Sequence, residues 1–160
     1  MAMQFILNLF IATLWLLLQD EVTPHFSTFL MGFIVGMGIL YAMHRFYGTQ
    51  FYLRRVFSIL KLLWLFNWEL FLSSYSVIRQ ITTPRLNITP GIFTYKTVLK
   101  GDWEITALAL LLTLTPGSVV MEVSEEGDVF YIHAMDIEQS KDAVIRSIGK
   151  FEQAIMEVTR

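Results

Sequence analysis

Two ionisable residues inside an apolar segment are the positions of this sequence that could carry ion chemistry. Lys61 and Glu69 lie eight residues apart within the apolar stretch 56–78. On a helix this spacing turns both side chains toward the same side without bringing them into contact. Ionisable groups within a membrane segment can relay protons, which gives a proton-path hypothesis for the two residues. The alternative, favoured by the helical wheel below, is that both lie on the water-facing side of a helix at the membrane surface.

No motif for catalysis, nucleotide binding or metal binding accompanies these residues. The sequence lacks a glycine-rich dinucleotide loop, a Walker loop, a zinc-protease motif and a serine-hydrolase elbow. It contains no cysteine, which excludes disulfides, thiolate metal sites and thiol catalysis. Glu122 and His133 lie on predicted neighbouring strands; a structural role is favoured for His133, and Glu122 is its candidate hydrogen-bond partner. The acidic residues of 125–128 are typical of a solvated turn rather than a calcium site. We therefore predict no enzyme, no cofactor and no metal site.

The composition is that of a small membrane protein. Of the 160 residues 54% are hydrophobic and 16% are charged, whereas soluble domains carry about 25% charged residues. Charged side chains are absent from residues 1–19 and 26–43 and are concentrated in the C-terminal part. The formal net charge of −2 provides no overall attraction for nucleic acid. The chain is expected to combine a few membrane helices with a small polar domain.

The apolar segments 1–18 and 26–43 are predicted to form a transmembrane helical hairpin over residues 1–43. Each would reach about 27 Å as a helix, close to the roughly 30 Å of the hydrocarbon core. A cleaved signal peptide is the alternative for the first segment, but a basic start and a small-residue cleavage site are both missing. Gly32 and Gly36 lie one turn apart in the second segment, where missing side chains allow two helices to approach closely. They are the predicted helix-packing positions.

The loop charges predict the orientation of the hairpin. The turn between the two segments contains Asp20 and Glu21 but no lysine or arginine, whereas the loop after the second segment contains Arg45, Arg54 and Arg55. Basic loops stay on the cytoplasmic side. We therefore expect the N-terminus and the loop after the second segment to be cytoplasmic.

The third apolar segment lies in residues 44–80, which are predicted to form a basic loop and an amphipathic helix in the plane of the membrane. Most of its polar positions fall within about 120° on a helical wheel: Ser58, Lys61, Glu69, Ser73, Ser76, Arg79 and Gln80. Three leucines share the polar side: Leu62, Leu65 and Leu72. Trp64, Trp68 and Tyr75 suit the membrane interface. A third span is the alternative, in which a charge at the bilayer centre costs on the order of 2.5–3.5 kcal/mol unless it faces protein.

A linker over residues 81–90 is predicted to lead to a small α+β domain over residues 91–160. The expected order is β-α-β-β-α, with strands at 91–99, 118–123 and 129–134 and a first helix at 103–114 capped by Asp102. The last helix begins after Asp136, with Gln139 as a capping-box partner, and its apolar stripe contrasts with a charged face assigned to water. The first crossover is expected to bring two strands parallel. A core this small is marginally stable alone, and we therefore expect the domain to pack against the third helix or a partner.

Several stretches of the sequence resemble one family along the whole chain. They include Trp15 in the apolar hairpin, the basic pair Arg54-Arg55, residues 112–118 (Leu-Thr-Leu-Thr-Pro-Gly-Ser) and residues 131–136 (Tyr-Ile-His-Ala-Met-Asp). The chain thereby resembles the E subunit of the bacterial Mrp-type multisubunit cation/proton antiporter, also called Mnh. Ser118 departs from the threonine common there. The resemblance implies an accessory subunit of a complex that exchanges sodium for protons across the bacterial cell membrane, in which large partner subunits move the ions.

Three functional hypotheses follow. In the first, the chain is an assembly subunit whose Gly32 and Gly36 pack on a partner's span, while its C-terminal domain braces the complex from the cytoplasm. In the second, that domain is a membrane-anchored module that binds a ligand or regulates partners. In the third, which is disfavoured, Glu122 and His133 serve an enzyme. The expected partners of the first hypothesis are the other antiporter subunits and the lipid bilayer.

Overall fold

A computed structural model describes residues 2–19, 25–47, 52–83 and 88–160. The chain forms two compact units, Met1–Phe57 and Ser58–Arg160, and the division falls within the third helix. Several predicted features lie outside the described residues, namely the acidic turn with Asp20 and Glu21, part of the basic loop at 48–51 and the linker residues 84–87. The side chain of Arg45 also lies outside them.

The first unit contains two apolar helices and the start of the third. Helix α1 is Ala2–Leu18 and helix α2 is Phe26–Tyr47. Within the described parts of the chain, Phe26–Met43 and helix α3, Tyr52–Thr82, are long and apolar enough to cross a membrane. The apolar part of α1, Met3–Leu18, is shorter. Length and composition alone therefore mark α2 and α3 as the potential spans.

Helices α1 and α2 pack through the two glycines singled out from the sequence. A Cβ atom at Gly32 would lie 2.6 Å from Cβ of Trp15, and one at Gly36 would collide with Oδ1 of Asn8. This face is therefore occupied by α1 of the same chain, not by a partner's span as the assembly hypothesis expected. The reason is that the hairpin itself supplies the nearest helix. Asn8 is fully buried there and donates to the Tyr52 hydroxyl at 2.9 Å.

Helix α3 is longer than the predicted segment. It runs for 31 residues, about 46 Å. Neither glycine nor proline interrupts Tyr52–Thr82, and Pro84 follows directly after Thr83, where a helix is disfavoured. The helix therefore absorbs the start of the predicted linker.

The second unit has the predicted order of elements. After α3 come β1 (Gly91–Lys96), α4 (Asp102–Leu114), β2 (Ser118–Val123), β3 (Val129–Ala134) and α5 (Ile137–Thr159). The sheet order is β1-β3-β2, and both pairings are antiparallel. The crossover does leave β1 and β2 pointing the same way, but β3 lies between them, so no parallel pair forms. The central place suits β3 because its Phe130, Ile132 and Ala134 are fully buried.

Two predicted boundaries are wrong, and one predicted cap is confirmed. Strand β1 ends at Lys96 rather than at residue 99 because the backbone N–H of the next two residues leaves the sheet for other acceptors. The N-cap of α4 is Gly101, and Asp102 is the first helical residue. Asp136 is confirmed as the N-cap of α5, since its carboxylate accepts from the backbone N–H of Glu138 and Gln139.

The core of the second unit lies between the sheet and the helices. Its fully buried side chains come from α4, β3 and α5, and the largest are Leu108, Leu112, Phe130, Ile132, Ile148, Phe151 and Ile155. The predicted apolar stripe of α5 is thus confirmed at Ile148, Phe151 and Ile155. Leu62, Leu65 and Phe66 of α3 pack against this core. Two of the three leucines on the polar side of the α3 wheel, Leu62 and Leu65, are therefore packing residues, whereas Leu72 is 43% exposed.

Candidate functional site on helix α3

The inner face of α3 is the face that contacts the rest of the second unit, and Glu69 is its central polar residue. The Glu69 side chain is only 9% exposed. One carboxylate oxygen accepts from the ammonium of Lys150 at 2.7 Å, and the other accepts from the hydroxyl of Ser147. Both partners lie on α5. A buried carboxylate needs such donors, because an unpaired charge is costly to remove from water.

Lys61 makes a second bridge to α5, two helical turns earlier on α3. Its ammonium lies 2.7 and 2.8 Å from the two carboxylate oxygens of Glu157. Both side chains are about half exposed, so water screens the attraction and the pair stabilises the fold little. The Lys61–Glu157 pair therefore contributes to the alignment of α3 and α5 more than to the free energy of folding.

These contacts correct the interpretation of Glu69 as a water-facing residue, because α5 buries it, whereas Lys61 is about half exposed at the edge of the same contact. The Ser147, Lys150 and Glu157 side chains that make these contacts belong to the α5 face assigned to water. The correction has a simple reason: a polar side of one helix can be satisfied by the polar side of another as well as by solvent. Nothing in the sequence linked positions 78 to 96 residues apart.

The outer face of α3 carries a bare apolar stripe. Its side chains recur at spacings of four, four, three, four and three residues and are more than half exposed: Leu60, Trp64, Trp68, Phe71, Tyr75 and Ile78. Trp64 is the most exposed of them, at 75%. Contiguous exposed apolar surfaces mark contacts with membranes or proteins. The tryptophans and the tyrosine are the residue types found at membrane interfaces.

A second buried carboxylate organises the end of strand β1. Glu152 of α5 accepts from the Tyr95 hydroxyl at 2.9 Å, from the Thr97 hydroxyl and from the backbone N–H of Val98 at 3.1 Å. Burial, followed by the hydrogen bond and the charge of Glu152, raises the pKa of Tyr95 to about 12. Glu152 lies among the apolar stripe residues of α5, four positions after Ile148 and three before Ile155, where a carboxylate gives no sequence signal for these partners.

Glu104 joins the start of α4 to the end of α5. It accepts a hydrogen bond from the Thr159 hydroxyl, and the Arg160 guanidinium lies 3.8 Å away. The bond from Thr159 is the main reason that the pKa of Glu104 lies below its ordinary value. Glu104 and Glu152 are both structural, since each is occupied by groups of the fold.

The proposed acid–base pair, Glu122 and His133, is not a directly opposite cross-strand pair. Strand register places His133 opposite Ile92 on one side and Val119 on the other, while Glu122 lies opposite Tyr131. Within the described ranges, no group of three or more His, Cys, Asp or Glu residues is placed to hold a metal ion.

Comparison with known proteins matches the chain over nearly its whole length. A family model described as "Na+/H+ ion antiporter subunit" (MNHE) matches residues 8–158. The E subunit of the Na(+)/H(+) antiporter of Bacillus subtilis is 47% identical over 160 residues, all of both chains. The putative antiporter subunit mnhE2 of Staphylococcus epidermidis is 41% identical over 158 residues, covering 98% of this chain and 99% of its own.

Two solved complexes contain similar chains. A chain of the Mrp complex from Dietzia sp. is 28% identical, with a TM-score of 0.46 over 64% of this chain and 96% of its own. A chain of the membrane-bound sulfane sulfur reductase, an archaeal respiratory membrane complex, is 22% identical, with a TM-score of 0.53 over 97% of this chain and 99% of its own. The second likeness shows a shared fold.

Proposed function

Because the chain belongs to the MNHE family of Na+/H+ ion antiporter subunits, we propose that it is an accessory subunit that helps to assemble the multisubunit antiporter and does not form its main ion path. In this proposal α1 and α2 form the transmembrane hairpin. Helix α3 lies in the cytoplasmic surface of the membrane, and the sheet with α4 and α5 lies in the cytoplasm. The partners are the other subunits of the complex and the lipid bilayer.

The observation that carries this proposal is the difference between the two faces of α3. Between Lys61 and Val77 its inner face contacts the polar face of α5 and the α4–β2 turn, and its outer face is bare and apolar. A spanning α3 would draw Lys150, Glu157 and their neighbours into the hydrocarbon, where each charge costs on the order of 2.5–3.5 kcal/mol. An in-plane α3 leaves those charges in water.

The apolar stripe is large enough to hold α3 at a membrane surface. Burying one large apolar side chain contributes roughly 1.5–3 kcal/mol, so six that are already partly covered contribute on the order of 5–10 kcal/mol together. Amphipathic helices bind to membranes by this mechanism. The loop charges agree, because Arg54, Arg55 and Arg79 then lie on the cytoplasmic side.

The contacts of Lys61 and Glu69 support a structural role over the proton-path hypothesis. Both are paired with groups of the second unit and point away from the face proposed to meet lipid. A proton carrier needs a route on each side, and both carboxylate oxygens of Glu69 are already held by Ser147 and Lys150.

The orientation of α3 can be tested by spin labelling, because the natural chain has no cysteine. Nitroxides are attached to Phe71→Cys on the outer face and to Ser76→Cys on the inner face, within the assembled complex in membrane vesicles. We expect collisions with oxygen, which concentrates in lipid, to dominate at position 71, and collisions with a water-soluble nickel complex to dominate at 76. Equal lipid exposure at both positions would show that α3 spans the membrane.

The cytoplasmic location of the C-terminus has its own test. Arg160→Cys in intact cells should resist a membrane-impermeant maleimide and react after the cells are opened. Affinity purification of the tagged chain should also recover several larger membrane proteins. Labelling in intact cells would contradict the proposed topology, and recovery of a lone stable monomer would contradict the assembly role.

A further inference from the structure

A polar cleft lies beside the Glu69 bridge, between α3, the α4–β2 turn and α5. Its volume is about 360 Å³, within the range of small-molecule sites. Leu72, Val77 and Leu112 give it apolar walls, and residues 115–118 form one side. A smaller cleft of about 300 Å³ adjoins it and shares Ser76, Gln80 and Gln139.

The larger cleft has one positive charge that the fold does not use. Lys150 is committed to Glu69, so these two lining charges offset each other. Among the residues that the structure describes, the guanidinium of Arg146 has no hydrogen-bond or ion-pair partner. The larger cleft therefore suits a ligand with a single negative charge, and a guanidinium is well shaped for the oxygens of a phosphate group.

The smaller cleft offers an acceptor that the fold leaves open. Oδ1 of Asp136 caps α5 and also accepts from the Thr89 hydroxyl. Asp136 is only 1% exposed, and Oδ2 of the same carboxylate has no hydrogen-bond partner in the described part of the chain. A buried carboxylate oxygen calls for a donor, and a neutral hydroxyl group is one that an anionic ligand can bring.

We propose that the two clefts bind the headgroup of an anionic glycerophospholipid whose monoanionic phosphodiester contacts Arg146 and whose headgroup hydroxyls reach Asp136. The inference rests on the proposed in-plane position of α3. With its outer stripe in the hydrocarbon, the inner face lies about one helix diameter, roughly 10 Å, further out. Headgroups extend the bilayer by about 5–8 Å on each side of the hydrocarbon core, which leaves a gap of roughly 2–5 Å to the inner face. The long side chain of Arg146, which lines the larger cleft, can bridge that gap toward the headgroup.

The test measures lipid binding to the purified antiporter complex in detergent. The probes are dihexanoyl phosphatidylglycerol, dihexanoyl phosphatidylcholine, glycerol 3-phosphate and sodium phosphate. Native mass spectrometry counts the adducts on this subunit after its release from the complex. We expect adducts with the phosphatidylglycerol probe at concentrations where the other three give none.

Three variants locate the site. Arg146→Gln should weaken phosphatidylglycerol binding at least tenfold, whereas Lys141→Gln, which removes a positive charge from α5 outside the clefts, should change it less than twofold. Asp136→Asn keeps the helix cap, since asparagine caps as well as aspartate, and replaces the open acceptor by an amide donor. Asp136→Asn should therefore also weaken phosphatidylglycerol binding. The loss of a negative charge would by itself strengthen the attraction for an anion, so the two effects have opposite signs.

Several results would overturn this inference while leaving the proposed function intact. Equal weakening by Arg146→Gln and Lys141→Gln would show no site at the clefts. Tighter binding to Asp136→Asn would show attraction to charge alone, and binding of glycerol 3-phosphate or phosphate at the lipid's concentration would show a free anion as the ligand. Co-purification of the other subunits with each variant is measured in parallel, and its failure for the unmodified chain would instead contradict the proposed function.

Discussion

Replacing the buried carboxylate of Glu69 by an amide separates a structural role from a role in proton transfer. Glu69→Gln keeps the shape of the side chain but loses the charge that faces Lys150. A hydrogen bond to a charged group stabilises by about 1.5–3 kcal/mol. The ion pair contributes less than about 1 kcal/mol, because the Lys150 side chain is 53% exposed and screened by water. Glutamine still accepts from Ser147, so we expect a loss of about 2 kcal/mol, or roughly thirty-fold in the equilibrium for opening α5 from α3.

Hydrogen exchange of the α5 backbone in the intact complex measures this equilibrium directly. Lys61→Gln is the matched control, because its pair with Glu157 is half exposed on both sides and should change exchange by less than about threefold. Sodium/proton exchange in vesicles, normalised to the amount of assembled complex, should remain close to the unmodified level in both variants. If Glu69→Gln abolished exchange while assembly and α5 protection were unchanged, Glu69 would be part of the ion path and the accessory role would be wrong.

Three further predictions concern other parts of the chain. Gly36→Leu should disrupt the α1–α2 hairpin, because its side chain would meet Asn8, and should lower the recovery of assembled complex severalfold on affinity purification. Gly38→Leu is the control and should be tolerated, since nothing lies within 4 Å of a Cβ atom added there. Equal recovery of the two variants would show that the hairpin is not packed at Gly36. The raised pKa of Tyr95, about 12 against 10.0, means that its neutral form stabilises the fold below pH 10 and that this stability is lost as pH rises from 10 through 12. Tyr95→Phe, followed by thermal unfolding of the full chain in detergent, should remove that loss while lowering stability at pH 8 by about 1 kcal/mol, and an unchanged alkaline transition would assign it to another group. Trp68→Glu should reduce the amount of assembled complex in membranes severalfold, since it places a charge in the apolar stripe, and normal assembly would argue that the stripe does not meet lipid.

The parts of the fold that depend on local pattern could be predicted from the sequence. The three strands, the cap at Asp136 and the stripe of α5 each leave a signal within a few residues. The position of β3 between β1 and β2 leaves no such signal, because all three strands are rich in β-branched or aromatic residues. Strand β3 is central because it is the most completely buried of the three, and burial depends on the assembled core rather than on local sequence.

The candidate site could be predicted only in part. The wheel of α3 identified Lys61 and Glu69 as one face and the aromatic residues as another. It did not identify Ser147 or Lys150 as partners, because ion pairs between distant helices have no fixed spacing in sequence. Glu152 was missed for a related reason: a carboxylate beside an apolar stripe resembles a solvated residue until Tyr95 and Thr97 are known to face it.

The long separation between Glu69 and its donors has a consequence during synthesis. Ser147 and Lys150 follow Glu69 by 78 and 81 residues. At 5–20 residues per second, the ribosome needs roughly 4–16 s to produce them after Glu69. Throughout that interval the Glu69 carboxylate lacks both donors, and an unpaired charge of this kind is costly to place in hydrocarbon. A chain truncated before residue 147 would therefore leave the Glu69 carboxylate without either of these donors.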